Sequence, residues 1–91
     1  MELKWTSRAL CDIARLYEFL ASVNQPAAAR TVQQLTAAPS TLLANPRIGE
    51  RLEEFDPRDV RRIQIGHYEL RYEIQGSTLY LLRLWHTRED R

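Results

Sequence analysis

The last third of the chain leaves the backbone little freedom. Residues 60–91 read VRRIQIGHYELRYEIQGSTLYLLRLWHTREDR. Three runs of β-type residues stand there, parted by two short breaks, Gly66-His67 and Gln75-Gly76-Ser77. A two-residue Gly-X loop suits a hairpin because glycine adopts the positive φ that matches the twist of the flanking strands. The spacing predicts strands over residues 60–65, 68–74 and 78–86. In the second run Tyr68, Leu70, Tyr72 and Ile74 alternate with Glu69, Arg71 and Glu73, which marks a sheet with one buried face. In the third, Tyr80, Leu82 and Leu84 share one side, and Leu79, Leu81 and Trp85 the other. A strand apolar on both sides belongs in the middle of a sheet.

The first half supplies the layer that covers this sheet. Glu2-Leu3-Lys4-Trp5 alternates as a short strand does and can pair beside the third run. Thr6 or Ser7 can then cap a helix. Leu10, Ile13, Ala14, Tyr17, Leu20 and Ala21 recur at steps of three and four, and Leu16, Phe19 and Val23 widen that stripe. Arg8, Asp12, Arg15, Glu18 and Ser22 are placed on the opposite side. Asn24-Gln25-Pro26 stops this helix and opens another, with proline in a first turn that needs no N–H from it. The second helix carries Ala27, Ala28, Ala29, Val32, Leu35, Ala38, Leu42 and Leu43. So short a link predicts an antiparallel helical hairpin. Pro39 removes a backbone bond, so a kink or break is expected between residues 37 and 40. Asn45-Pro46 ends the helix, and Gly49 is read as permitting a sharp change of direction. Residues 50–59 are charged and read as a loop with one helical turn near residues 52–55. The predicted fold is α+β, in the order β-α-α-β-β-β, with the helical hairpin packed on one face of an antiparallel sheet. The other face is left partly uncovered.

Composition sets limits on function. Ninety-one residues make one domain, 1–91, with a modest core. No apolar run approaches the ~20 residues of a membrane span. The N-terminus lacks the apolar stretch of a signal peptide. A single cysteine, Cys11, can form neither an internal disulfide nor a metal cage, which fits a reducing cytoplasm. It is read as a small buried apolar side chain. The net charge is only +1, so charge alone does not argue for nucleic acid. The cations are unusual in kind, since Lys4 is the only lysine. Guanidinium groups make planar, bidentate contacts with phosphate and carboxylate. A genome rich in arginine codons is the plainer explanation.

Familiar chemistry is missing from the sequence. There is no glycine-rich phosphate loop, no metal-ligand spacing and no visible nucleophile triad. No metal or cofactor is expected. What remains is arginine on strands: Arg61, Arg62, Arg71, Arg83 and Arg88, with His86 the imidazole near them. His86 as general acid or base, with arginines steadying a phosphate, would describe a metal-free ribonuclease. The simpler reading pairs Arg71 and Arg83 with Glu69, Glu73 or Glu89, each pair worth ~0.2–1 kcal/mol. Trp5 and Trp85 are either partner anchors or core, and core is the commoner fate.

The tail just quoted, the helix-end segment ANPRIGE and the opening TSRALCDIARLYEFL together resemble the RelE/ParE superfamily of bacterial toxins. The resemblance spans nearly the whole chain and implies the fold derived above. RelE-like members cut messenger RNA on the ribosome; ParE-like members inhibit DNA gyrase by binding. The chain is more similar to the ParE branch. It lacks a lysine-rich patch, and Glu69 stands where many members carry an arginine. What this implies is the toxin of a type II toxin–antitoxin pair, cytoplasmic, causing growth arrest and serving plasmid maintenance. Its partner would be a ParD-like antitoxin whose C-terminal segment folds onto the toxin. Target-binding candidates are Arg61, Arg62, Arg83, His86 and Arg88. Leu16, Phe19 and Val32, taken as hairpin residues left uncovered by the sheet, are candidates for antitoxin contact. Under the ribonuclease alternative His86, Arg71, Arg83 and Arg88 would be catalytic. A degenerate toxin that only binds its antitoxin is the third reading.

Overall fold

A computed structural model describes residues 1–87. Strand β1 (Glu2–Trp5) leads into helix α1 (Ser7–Ala21), then α2 (Gln25–Ala37) and a single-turn α3 (Pro39–Leu42). Short β2 (Glu50–Arg51) and a 3₁₀ turn (Glu53–Phe55) precede β3 (Asp59–Ile65), β4 (Tyr68–Gln75) and β5 (Thr78–His86). The sheet order is β1-β5-β4-β3-β2.

Local chemistry accounts for the helix ends. Thr6 caps α1, its hydroxyl accepting from the Ala9 amide, and Asn24 caps α2 by accepting from Ala27. Each satisfies one of the amides that a helix start leaves without a partner. The break expected at Pro39 is present: α2 ends at Ala37, and Pro39 begins α3. Gly66 and Gly76 have φ of +60° and +57°, as the two hairpins require.

Three features of the sheet depart from the sequence reading. First, the sheet is mixed. β2, β3, β4 and β5 are antiparallel, but β1 pairs with β5 in parallel, from Glu2 opposite Thr78 to Trp5 opposite Leu81. The helical hairpin between them acts as a long crossover, which a parallel neighbour needs. Second, part of the 50–59 loop is strand, because Glu50 and Arg51 pair with Arg62 and Arg61.

The third departure is a β-bulge in β5. Arg71 faces Arg83 and Tyr72 faces Leu81, so Leu82 has no opposite residue. One extra residue inverts the alternation beyond it. Leu79, Leu81 and Leu84 therefore all point into the main core, contrary to the regular pattern that grouped Leu84 with Tyr80 and Leu82. They pack there with Leu70, Tyr72, Leu35, Leu42, Ala9 and Leu16.

Helix α1 is also rotated from the expected stripe. Its buried residues are Ala9, Asp12 and Leu16, while Leu10 is 55% exposed and Cys11 is exposed rather than buried. Gly49 does not adopt positive φ. Its role is close approach: a Cβ there would stand 2.5 Å from the Tyr72 hydroxyl and 2.8 Å from the Arg62 carbonyl. The Tyr72 hydroxyl accepts from the Gly49 amide at 2.9 Å and donates to the Pro46 carbonyl at 2.8 Å. Burial of the ring raises the Tyr72 pKa above its ordinary value, against the opposing pull of the Gly49 amide and Arg61. The bare α-carbon thus lets one buried phenol tie the 46–49 segment to the sheet.

Candidate functional site

The face of the sheet away from the helices is built by alternation. Val60 and Arg62 on β3 share it with Glu69, Arg71 and Glu73 on β4, and with Tyr80, Arg83 and Trp85 on β5. It is not bare. Leu52, Val60 and Trp85 are buried yet lie outside the main core cluster. The 52–58 segment folds over one end of this face and forms a small second apolar patch.

Charge organises the rest. Arg58 reaches back from that segment to Glu73 with two hydrogen bonds, 3.0 and 2.7 Å. This pairing holds the Glu73 carboxyl below the usual carboxylate range and raises the Arg58 pKa. Arg62 bonds Glu50 at 2.8 Å and stands 3.8 Å from Glu69. Arg71 lies 4.9 Å from the centre of the Trp85 ring and 5.5 Å from that of Phe55, within cation–π range. Its carboxylate neighbour Glu69 is 3.7 Å away, and its own Nε is buried with no hydrogen-bond partner.

Arg83 has the least predictable partner. It donates to Asp12 of α1 through Nε at 2.9 Å, and the same carboxylate oxygen accepts the Leu84 amide at 2.9 Å. β1 ends opposite Leu81, so the edge of β5 beyond that point has no strand beside it. Asp12 satisfies part of that edge, and the Thr6 hydroxyl donates to the Leu81 carbonyl at 2.6 Å. A buried carboxylate here does the work of a neighbouring strand.

The sequence candidates are therefore sorted differently by the fold. Arg61 alternates to the helix side, where it bonds Asp59 and the Arg47 and Gly49 carbonyls. Arg62, Arg71 and Arg83 share the open side, but as members of ion pairs rather than as a free cationic set. His86 alternates with Leu84, away from Arg83 and Trp85. It stands beside His67, at 6.1 Å between ring centres, and edge-on to Tyr68 at 5.2 Å. The fold thus sets His86 on the opposite side of the sheet from Arg71 and Arg83. Arg88 lies outside the described residues. Leu16 is 3% exposed in the main core, so it is not an uncovered residue. Phe19 is 69% and Val23 84% exposed, and Val32 is half-buried.

Sequence reasoning missed Asp12 and Arg58. Asp12 was placed on the solvent side of α1, although its spacing of three from Ala9 and four to Leu16 fits the buried stripe. Arg58 sits in a charged loop with no pattern to single it out. Around Arg58, Arg71 and Arg83 the surface sinks into a cleft of about 510 Å³, which also meets Arg8 and the N-terminus of α1. Among the described residues no group of His, Cys, Asp and Glu is placed to hold a metal ion. No helix among them is long and apolar enough to cross a membrane.

Two comparisons with known proteins bear on this architecture. A solved structure described as the chromosomal ParDE toxin–antitoxin system from P. aeruginosa superimposes with a TM-score of 0.80, over 94% of this chain and 95% of that one. At 22% identity the likeness concerns the fold alone. It defines the class: an α+β domain with two main helices on a five-stranded mixed sheet. Residues 3–91 match the family model described as the ParE toxin of the type II toxin–antitoxin system parDE. The chain belongs to the ParE toxin family. No curated protein matches it.

Proposed function

We propose that this chain is a toxin that arrests growth by binding DNA gyrase, without chemistry of its own, and that a cognate antitoxin neutralises it in the cytoplasm. The family match over residues 3–91 carries this reading. The disposition of the open sheet face supports it. Arginines fixed by carboxylates form a preorganised docking surface at little further cost in side-chain entropy. Arg62 and Arg83 on that face are the target-contact candidates it supports; Arg61 and His86 lie on the other side of the sheet, and Arg88 lies outside the described residues.

The antitoxin's C-terminal segment would dock on the helical hairpin. Phe19 is exposed in the last turn of α1 and Val23 just past its end, and Val32 is half-buried on α2. Exposed apolar side chains at helical spacing suit a helix laid in a groove, folding as it binds. This assembly is a hetero-oligomer of toxin and antitoxin.

The direct test is a supercoiling assay with purified toxin, gyrase and relaxed plasmid. Inhibition that is relieved by an antitoxin C-terminal peptide is the expected result. Undiminished supercoiling at concentrations that arrest growth would reject the gyrase assignment. Phe19→Asp should weaken antitoxin capture while leaving inhibition of gyrase intact.

A further inference from the structure

We propose that the cleft at the N-terminus of α1 is a receptor for a terminal phosphate, carried by an organic molecule about the size of a mononucleotide. Arg8, Arg58, Arg71 and Arg83 line it, beside Thr6 and Ser7. No acid is among the residues lining it. Four cations around one cleft repel one another, and carboxylates behind them offset only part of the charge. Asp12 takes Arg83 and Glu73 takes Arg58. Glu69 stands 3.7 Å from Arg71 but is shared with Arg62 at 3.8 Å. Arg8 has no ion pair among the described residues.

Arg8 is also in an unfavourable place. The start of a helix carries about half a positive charge, which favours acids. The first turn of α1 holds no acidic residue, and Arg8 stands there instead. A local choice that opposes the fold's own electrostatics is the mark of a functional site.

The direction of the donors selects phosphate over carboxylate. A planar carboxylate is satisfied by a single guanidinium fork, as Glu73 is by Arg58. Here the cleft is lined by guanidinium groups from α1, β4, β5 and the 52–58 segment. A tetrahedral phosphate monoester presents three acceptor oxygens and close to two charges to such a set. The cleft of about 510 Å³ exceeds what bare phosphate fills and lies in the range of small-molecule sites. The Phe55 ring on its wall offers apolar surface to the remainder of the ligand.

The inference stands apart from the toxin reading and is tested by calorimetric titration of the whole chain. The probes are adenosine monophosphate, inorganic phosphate, a diester dinucleotide and tetraglutamate. The monophosphate should bind tightest and weaken as pH falls below about 6, where the monoester loses its second charge. Arg8→Gln, at an exposed unpaired position, should leave thermal unfolding unchanged and weaken the monophosphate about tenfold. Absence of monophosphate binding, equal binding of the diester or the acidic peptide, or an unaffected Arg8→Gln would overturn the proposal. Inorganic phosphate binding as tightly as the monophosphate would overturn the organic part of it.

Discussion

The two sides of the sheet are closed by different forces. On the helix side Leu70, Tyr72, Leu79, Leu81 and Leu84 are fully buried against α1, α2 and α3. Burial of apolar area holds that side, and it needs shape more than charge. On the other side a short segment covers one end, and Arg58, Arg62 and Arg71 lie over it in pairs with Glu73, Glu50 and Glu69. Ion pairs near water are individually weak. The contrast teaches that the first side sets stability while the second is free to be shaped by recognition.

That division can be broken most readily in the core. Leu81→Ala should cost about 2–5 kcal/mol, read from the denaturant midpoint. A loss similar to that of open-side substitutions would erase the distinction. Asp12→Ala is the next largest, because it strips Arg83 and leaves the Leu84 amide without a partner. We expect about 2 kcal/mol by chemical denaturation, below the figure for a fully buried pair because Arg83 is partly solvated. A negligible loss would show that water caps the β5 edge equally well.

The open side should reveal itself through pH. The Glu73 carboxyl titrates below its ordinary value, chiefly because Arg58 bonds it. Its stabilisation is therefore complete above the unfolded carboxylate pKa of about 4.3. It is lost as pH falls through the lowered folded value. Glu73→Gln should remove about 1 kcal/mol near neutrality, discounted for the exposure of Arg58, and flatten the acid limb of the stability curve. An acid limb identical to that of the wild type would place the titration elsewhere. Arg62→Ala, at an exposed pair, should have the smallest effect on stability of the four, close to the scatter of repeat measurements. Thermal melts at low and high salt would sharpen the point, since screening should remove even that difference.

The legible parts of this fold were those with local chemical causes. Gly66 and Gly76 announced the hairpins, Thr6 and Asn24 the helix starts, and Pro39 the break. The pairing of β1 beside β5 was legible, but its parallel direction, which the intervening helical hairpin imposes, was missed. The bulge was not legible, because Leu79 to Leu82 is apolar at every position and either alternation fits it. The partners of the arginines were not legible either. Asp12 meets Arg83 across 71 positions of sequence, and no periodicity encodes such a distance. Leu10 within the apparent stripe of α1, and Phe19 and Val23 added to it, hid which face turned inward.

The unpaired Leu82 carries a genetic consequence. Leu81 and Arg83 already face opposite sides of the sheet, as direct neighbours in a regular strand do, and the bulge stores one surplus codon between them. Deleting that codon would join them and keep Arg83 opposite Arg71 and Leu84 opposite Leu70. An in-frame loss of Leu82 should therefore be better tolerated than an in-frame loss of Leu70, where β4 holds no spare residue against β3.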